Sequence, residues 1–326
     1  MKKILFRADA KPSIGIGDLM SLIHLSSYLD DFECFFLTQE TPAAKGIAAK
    51  YGLQNIYWLK ENAPVDSDVM AINGLIAEKG IDIVCFEITE RKLTEYTGIT
   101  DKVAKLCVNF DGFIPNDIRL LINWDAAADR YYDTFSFPNT KFLLGPRYVI
   151  LPKAFYSEAI QKRTFSSKRE KILIAMGGAD EFDFTAKVAS ALCGKEFQLT
   201  IIVGAGYEKK RELAELLDNR ARYEIKVNVN DMLSEYMNCD FAIGAGGLTS
   251  SELVATKTPS ALIATYEHQI ARCEYFDSEG WSKYLGFRQF DRDELYKAIQ
   301  EYAPDFSKNI FETQAIVEEI KRVSFE

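Results

Sequence analysis

The residues with the clearest capacity for chemistry lie between Asp240 and Glu252, in the run Asp-Phe-Ala-Ile-Gly-Ala-Gly-Gly-Leu-Thr-Ser-Ser-Glu. The apolar run Phe241 to Ile243 predicts a buried parallel strand. Three glycines then allow a sharp turn and a close approach of the backbone to a ligand. The free N–H groups at the start of a following helix favour an anion such as a diphosphate. Glu252, expected in the first turn of that helix, can accept hydrogen bonds from a ribose diol.

A tight strand-to-helix turn with a hydroxyl N-cap is the alternative interpretation of the same run, because glycine-rich turns are common in α/β folds. The hydroxyls and the carboxylate favour a site for phosphate and sugar. The spacing lacks the third glycine of the dinucleotide fingerprint, and no Gly-Lys-Ser/Thr follows as in a phosphate-binding loop.

The length and composition limit the class of protein. A chain of 326 residues predicts one large or two medium domains, and 48% hydrophobic residues are sufficient for a sizeable core. The net charge of −9 argues against a nucleic acid or an anionic membrane as partner. The six cysteines have no CxxC spacing and lie mostly in apolar runs, which predicts reduced thiols in a cytosolic protein and no zinc site. No apolar run approaches the ~20 residues of a membrane span, and the apolar part of the N-terminus is too short for a signal peptide.

Apolar strands alternate with amphipathic helices twice along the chain, which predicts parallel βαβ units in two α/β halves. The polar stretch from 157 to 171 separates the halves and is interpreted as a linker. The predicted domains are an N-terminal Rossmann-like domain for the sugar or acceptor (1–156), a C-terminal nucleotide-binding Rossmann-like domain (157–308) and a closing helix packed on the first domain (309–326). Ligands bind such sheets at the carboxyl ends of strands. The glycine turns at 15–17, 177–178, 204–206 and 244–247 are therefore expected to converge on a cleft that the two domains face.

With these residues in view, the chain resembles the pseudaminic-acid pathway hydrolases, which remove UDP from a 2,4-diacetamido-2,4,6-trideoxy sugar and are related to the MurG-like GT-B glycosyltransferases. The similarity runs along most of the chain, and its pieces are specific only in combination. They are Phe6-Arg-Ala-Asp-Ala10 with Ile14-Gly-x-Gly17, Leu144-Gly-Pro-Arg-Tyr148, Met176-Gly-Gly-Ala-Asp180, Ile243-Gly-Ala-Gly-Gly-x-Thr-Ser-Ser-Glu252, and Gln269.

The resemblance implies a GT-B fold in which the C-terminal domain holds the nucleotide. Gly246 to Ser250 would hold the diphosphate, Glu252 the ribose, and the segment near Val227 to Met232 the uracil. Glycines of the first domain would approach the phosphates from the other side. The expected binding residues are Arg7, Asp9, Gly15, Gly17, Gly177, Gly178, Gly246, Gly247, Thr249, Ser250, Glu252 and Gln269.

The sequence departs from the family where the chemistry is expected. The family has Gly-x-Gly-His and then Met-Arg-Cys, whereas this chain has Asp18 in place of the histidine and Ser21 in place of the arginine. The family has Asp-x-Tyr after the fourth strand, where this chain has Glu87. His268 replaces the asparagine usual before Gln269. The candidate catalytic residues are therefore Asp18, Glu87 and His268.

Each candidate also has a structural interpretation. Asp18 follows a glycine loop at a predicted helix start and is equally interpreted as an N-cap. Asp9 is as well explained by a loop hydrogen bond, and Glu87 by a solvated loop carboxylate. His24 is expected to be structural, and Asp180 to cap the next helix.

Three functions fit the residues. In the first, Asp18 acts as general base and activates water at the anomeric carbon, a role usually worth ~10²–10⁴-fold. In the second, the base deprotonates an acceptor hydroxyl and the protein is a glycosyltransferase. In the third, the protein only binds a nucleotide sugar. No cofactor or metal is predicted, the expected ligand is a small nucleotide sugar, and the nucleotide, the sugar and the oligomeric state stay open.

Overall fold

The computed structural model describes residues 1–11, 13–108, 114–164, 168–178, 180–204, 206–307 and 311–323, and the backbone but not the side chain of residue 161. Two units emerge from the internal contacts: Met1–Lys153 together with Phe311–Glu326, and Ala154–Ile310. No helix in the described ranges is long and apolar enough to cross a membrane. All six cysteines are free thiols.

Unit 1 is built on a seven-stranded parallel sheet in the order β3-β2-β1-β4-β5-β6-β7. The strands are β1 Lys2–Ala8, β2 Phe32–Gln39, β3 Ile56–Leu59, β4 Ile83–Glu87, β5 Ala104–Val108, β6 Ile118–Asn123 and β7 Lys141–Leu144. The helices are α1 Gly17–Ser26, α2 Pro42–Tyr51 and α3 Val65–Lys79. The apolar run from 106 predicts a strand over 106–109; the observed strand β5 begins earlier, at Ala104, and ends at Val108, and residue 109 lies outside the described residues.

Unit 2 is built on a six-stranded parallel sheet in the order β10-β9-β8-β11-β12-β13. Its helices are α4 Glu158–Gln161, α5 Phe184–Leu192, α6 Lys210–Leu217, α7 Met232–Met237, α8 Leu248–Ala255, α9 Ile270–Ser278 and α10 Arg292–Glu301. Its strands are β8 Lys171–Ala175, β9 Gln198–Val203, β10 Arg222–Val227, β11 Phe241–Ala245, β12 Ser260–Ala264 and β13 Lys283–Phe287.

The last helix, α11 Thr313–Val323, packs against β6 within unit 1. It buries Ile316, Val317 and Ile320, which recur at the spacing of one helical face. Residues 309 and 310, where the closing helix was expected to begin, lie outside the described residues.

The central strands of both sheets are apolar on both faces, as expected for strands covered by helices on each side. Every residue of β11 and of β12 is buried. The prediction of two Rossmann-like α/β halves with parallel sheets is confirmed. The stretch from 157 to 171, interpreted as a linker, contains α4, and Arg163 beyond it donates to the carbonyls of Tyr236, Cys239 and Thr256 at 2.7–3.0 Å.

Candidate functional site

The strand order changes direction between β8 and β11 in unit 2, because the chain runs outward from β8 through β9 to β10 and then returns to the other side of β8. Such a switch point opens a crevice at the carboxyl ends of the two strands, where α/β sheets bind ligands. The segments that leave these strands carry Gly177-Gly178 and Gly246-Gly247. Unit 2 thus places two of the predicted glycine turns at the position where a ligand is expected.

The three glycines of the bend after β11 differ in what surrounds them. A Cβ on Gly244 would lie 3.0 Å from Leu253 Cδ1, and a Cβ on Gly246 would lie 2.5 Å from Cys273 Sγ. Internal packing therefore explains both glycines. A Cβ on Gly247 would meet only Gln269 Nε2, at 3.6 Å, which is an ordinary contact. The internal contacts therefore do not require glycine at 247. A ligand that approaches the backbone at this position would require it, because a side chain would occupy the same space.

Helix α8 begins directly after this bend, with Gly247 as its N-cap and no side-chain cap. The hydroxyl N-cap interpretation is therefore wrong: Ser250 instead donates its hydroxyl to the Gly247 carbonyl at 2.6 Å. Within the described residues, the backbone N–H groups of Gly247, Leu248 and Thr249 have no acceptor. Unpaired N–H groups at a helix start, with the helix dipole behind them, form an anion site.

Glu252 lies in the second turn of α8, not in the first turn as predicted. It is half-buried, and its Oε2 accepts a hydrogen bond of 2.7 Å from the hydroxyl of Tyr236 on α7. Burial raises the pKa of the Glu252 carboxyl, and the Tyr236 hydrogen bond acts in the opposite direction. The carboxyl is thus held at one oxygen by a buried tyrosine that the sequence did not indicate.

Gln269 and His268 lie in a short 3₁₀ turn after β12, and their side chains differ in exposure to solvent. Gln269 is buried, and its Oε1 accepts from Thr265 N at 2.9 Å and Thr265 Oγ1 at 3.1 Å. His268 is exposed and stacks on Tyr266 with ring centroids 5.8 Å apart. Gln269 therefore braces the turn beside Gly247, whereas His268 is accessible to solvent.

The turn after β8 contains Gly177 and Gly178, which are both exposed. Gly177 has φ +96°, a conformation that favours glycine. Beyond it, Asp180 accepts from the backbone N–H groups of Phe184 and Thr185 at 2.9 and 2.7 Å. The prediction that Asp180 caps the next helix is confirmed.

Unit 1 has its own switch point between β1 and β4. The loop that leaves β1 forms a tight turn in which Lys11 and Gly15 exchange backbone hydrogen bonds of 3.0 and 2.8 Å. Gly15 has φ +78°, and both Gly15 and Gly17 are exposed with open space where a Cβ would stand. The two glycines leave the backbone at this edge accessible.

Asp18 lies in the first turn of α1, whose N-cap is Ile16, so it is not the N-cap residue. Its Oδ2 accepts hydrogen bonds from the backbone N–H of Thr89, at 3.1 Å, and from the Thr89 hydroxyl. Burial raises the pKa of the Asp18 carboxyl, while the bonds from Thr89 lower it and the charge of Asp9 adds to the rise. A carboxyl with a raised pKa at a switch point is a candidate acid or base.

Glu87 ends β4 and is buried, which excludes the solvated-loop interpretation. Its Oε2 lies 2.5 Å from the hydroxyl of Ser21 on α1. Unit 1 thus brings the two predicted catalytic carboxylates, Asp18 and Glu87, to the same pair of elements, α1 and the end of β4. His24 lies half-buried further along α1 against Tyr51, as expected for a structural histidine.

Arg7 and Asp9 belong to a buried cluster that the sequence did not reveal. Arg7 is fully buried, and its guanidinium donates to both oxygens of Asp68 and both oxygens of Asp9 at 2.8–3.0 Å. Tyr96 and Arg91 bind the same Asp68 carboxylate at 2.7 and 3.3 Å. No part of the Arg7 side chain is accessible to a ligand, so its position is that of a structural residue.

Asp9 lies 3% exposed within this cluster. It accepts from Gln39 N and Gln39 Nε2, both at 2.9 Å. Burial alone would raise the pKa of Asp9, but Arg7 and the Gln39 hydrogen bonds together hold it below its ordinary value. Since Asp9 begins the glycine loop and Arg91 follows Thr89, the cluster supports both loops of the switch point.

The comparisons with known proteins agree with this architecture. No family model matches the chain. The chain is 28% identical over 160 residues, 48% of its length, to the spore coat polysaccharide biosynthesis protein SpsG of Bacillus subtilis. It is 25% identical over 182 residues, 56% of its length, to a Helicobacter pylori protein described as pseudaminic acid cytidylyltransferase and UDP-2,4-diacetamido-2,4,6-trideoxy-beta-L-altropyranose hydrolase. The alignments cover 47% and 32% of these relatives, so the chain spans half or less of their lengths.

Solved structures resemble the chain over nearly its whole length. MurG of Acinetobacter baumannii superposes with a TM-score of 0.63 at 16% identity, over 99% of this chain and 100% of that one. The UDP-GlcNAc 2-epimerase of Methanocaldococcus jannaschii superposes with a TM-score of 0.67 at 11% identity, over the same shares. Anabaena HepE, solved with UDP and glucose, gives 0.63 at 12% identity, over 99% of each chain.

The fold is therefore the one found in GT-B glycosyltransferases and related epimerases. Of the proteins named above, SpsG is described by its part in polysaccharide biosynthesis, and the Helicobacter pylori protein and the Methanocaldococcus jannaschii neighbour by their action on UDP-linked sugars. At these identities the likeness establishes the fold.

Proposed function

We propose that this protein is an enzyme that hydrolyses a nucleotide-diphosphate sugar, with UDP as the leaving group. The observation that carries the proposal is the start of α8, where the backbone N–H groups of Gly247, Leu248 and Thr249 have no acceptor among the described residues and internal packing does not require glycine at 247. The bend supplies the diphosphate site, and Glu252, five residues further along α8, supplies the acceptor for the ribose hydroxyls. The first two turns of one helix thus offer the two contacts that a nucleoside diphosphate needs.

The carboxylates of unit 1 supply the chemistry. Asp18 accepts the proton of a water molecule whose oxygen attacks the anomeric carbon. The bond between that carbon and the diphosphate oxygen breaks, and UDP leaves with the bonding electrons. The N–H groups at the start of α8 stabilise the negative charge that develops on the leaving diphosphate. Glu87, paired with Ser21, holds or orients a polar group of the sugar.

The relatives support a proposal for the class of sugar. One relative is described as a hydrolase of a UDP-linked diacetamido-trideoxy sugar, and the similar segment covers 56% of this chain. We infer a UDP-linked amino or deoxy sugar of bacterial surface-glycan or nonulosonic-acid biosynthesis. Where the resembled family has histidine, this chain has Asp18, so the proposed general base is an aspartate instead of a histidine.

A glycosyltransferase is the second candidate, because the structural neighbours include MurG. The same donor site and the same base would serve it, with Asp18 deprotonating an acceptor hydroxyl in place of water. A protein that only binds nucleotide sugars is the third candidate, for which Asp18 would have no role in turnover.

The test is to incubate the protein with UDP-linked N-acetylated sugars in ¹⁸O-labelled water and to analyse the products by mass spectrometry. Hydrolysis at the anomeric carbon places the label in the free sugar and none in UDP. Release of UDP only after an acceptor is added would instead establish the transferase. Binding without any turnover across sugars and acceptors would establish the third candidate, and label found in UDP would refute attack at carbon.

A further inference from the structure

Arg288 is a cationic side chain that none of the roles above uses. It follows β13 at the carboxyl edge of the unit 2 sheet and is exposed. Its backbone has φ +51°, a left-handed conformation that is uncommon for a residue with a side chain. Such conformations persist where the surrounding structure holds them and are frequent at ligand sites.

The guanidinium of Arg288 is held in place before any ligand binds. Its Nε donates to the Thr265 carbonyl at 3.0 Å, and its backbone N–H donates to the Ala264 carbonyl at 2.9 Å. The guanidinium carbon lies 4.1 Å from the ring centroid of Phe182 and 5.1 Å from that of Phe287. A guanidinium stacked on an aromatic ring keeps its plane, so the arginine side chain loses little entropy when it pairs with a ligand.

Among the described residues, no carboxylate pairs with the terminal nitrogens of this guanidinium. In the described part of the chain, the contacts of Arg288 are the two carbonyls and the two rings already named. The nearby acid Glu181 pairs with the hydroxyl of Tyr266. The outer fork of Arg288 is therefore open to a planar or tetrahedral anion, which it binds with two parallel hydrogen bonds.

A continuous set of contacts joins Arg288 to the bend after β11. Arg288 binds the carbonyl of Thr265, whose N–H and hydroxyl bind Gln269 Oε1, and Gln269 Nε2 lies beside Gly247. Glu252 lies further along α8 from the same glycine, and its partner Tyr236 lies on α7. A nucleoside diphosphate with its ribose at Glu252 would extend its phosphates past Gly247 toward the strands that carry Arg288.

We propose that Arg288, stacked on Phe182, binds the second phosphate of a nucleoside diphosphate and so selects diphosphates over monophosphates. This inference rests on the proposed nucleotide site of unit 2. A guanidinium that neutralises the departing diphosphate also favours bond cleavage, because charge accumulates on that group as it leaves.

The experiment measures the dissociation constants of UDP and UMP by calorimetry for the wild type, Arg288→Gln, Arg288→Lys and Phe182→Leu. Arg211→Gln is the matched control, because it removes the same charge from an exposed arginine that pairs with Glu215 on α6. Arg288→Gln is expected to weaken UDP binding roughly tenfold or more, as for a charged hydrogen bond, and to change UMP binding less than about twofold. Arg288→Lys and Phe182→Leu are expected to give intermediate losses for UDP alone, since each removes the fork or its support.

The outcomes separate the two proposals. A UDP to UMP preference unchanged in Arg288→Gln, with wild-type melting behaviour, overturns the role of Arg288 and leaves the nucleotide site standing. Equal losses for UDP and UMP overturn it as well, because they indicate general damage to the site. If the wild type binds no nucleoside diphosphate, whether UDP, CDP, GDP or ADP, both the inference and the proposed function are overturned.

Discussion

The hydroxyl of Tyr236 donates a 2.7 Å hydrogen bond to Oε2 of Glu252, and so couples α7 to the helix whose start forms the glycine bend. The tyrosine is fully buried, and its hydroxyl is the donor because an ionised carboxylate can only accept. Glu252 is thereby oriented by the fold before a ligand arrives. The proposed ribose contact depends on this orientation and on the carboxylate being ionised.

Replacing Tyr236 with phenylalanine tests that dependence. Loss of the donor raises the pKa of Glu252 further, because the hydrogen bond lowers it. UDP binding in Tyr236→Phe is therefore expected to weaken more steeply than in the wild type as the pH falls from 8 to 5. The measurement is the UDP dissociation constant across that range, with Tyr223→Phe, a solvent-side tyrosine bonded to Asp218, as the control. Parallel pH profiles in Tyr236→Phe and the wild type would contradict the ribose role.

Asp18→Asn is expected to lower turnover by about 10²–10⁴-fold, the usual contribution of a general base. Asparagine keeps an oxygen that can accept from the Thr89 N–H, so the loop is expected to persist and UDP affinity to change less than about twofold. Turnover is followed as UDP released from the sugar nucleotide. Asp66→Asn, on the exposed side of the first turn of α3, is the charge-matched control. Unchanged turnover in Asp18→Asn would remove the base from the mechanism.

The pH profile of turnover reports on the same carboxyl. Because burial raises the pKa of Asp18 and a base acts when ionised, the rate is expected to fall on the acid side with a midpoint above the roughly 3.9 of a free aspartate. In the wild type, the hydrogen bond from the Thr89 hydroxyl lowers the pKa of Asp18. Thr89→Val removes this donor and should therefore move the midpoint to higher pH. A midpoint that moves to lower pH in Thr89→Val would contradict this role for Thr89. So would an unchanged midpoint, if Asp18→Asn abolishes the fall of the rate on the acid side.

The stability of unit 1 is expected to depend on pH through the protonation of His24. Burial lowers the pKa of its imidazole to about 4, below the roughly 6.5 of an unfolded chain. The folded state thus favours the neutral form, so its contribution is complete above pH 6.5 and is lost as the pH falls toward 4. Over this pH range, the free energy of unfolding of the wild type should fall by about 1–2 kcal/mol more than that of His24→Gln. This value is reduced to allow for the partial exposure of the imidazole.

Urea unfolding at pH 7 and pH 4.5 measures the difference, with the exposed His268 replaced by glutamine as the control. An equal pH dependence of unfolding in the wild type and His24→Gln would show that the imidazole is not buried in its neutral form.

Much of the fold could be predicted from local pattern, because buried parallel strands are short apolar runs. The sequence pattern predicts a strand over Gln198–Val203 and helices over Val65–Lys79 and Phe184–Leu192, and the structure has the same bounds. Two edge strands were missed. β7 is only four residues long with just Phe142 to Leu144 apolar, and β13 contains Gly286 and has a single buried residue, so each gives a weaker pattern than the central strands.

The site was predictable where it depends on consecutive residues and not where it depends on pairing. The glycine bend and the carboxylate that follows it lie in one stretch of sequence. Arg7 and Asp68 are 61 residues apart, and nothing in either segment indicates the other. The hydrogen bond from Tyr236 to Glu252 likewise joins two helices, and only the sheet order brings them together.

The central claim is tested most directly by the affinity of Gly247→Ala for UDP, compared with that of Gly246→Ala. A methyl group on residue 246 would lie 2.5 Å from Cys273 Sγ, so Gly246→Ala is expected to destabilise the protein by about 1–3 kcal/mol. A methyl group on residue 247 meets an ordinary contact, so Gly247→Ala should melt within a few degrees of the wild type. We predict that it nevertheless binds UDP at least tenfold more weakly, because the methyl group occupies the space of the diphosphate. Wild-type UDP affinity in a folded Gly247→Ala protein would contradict the assignment of this bend as the diphosphate site.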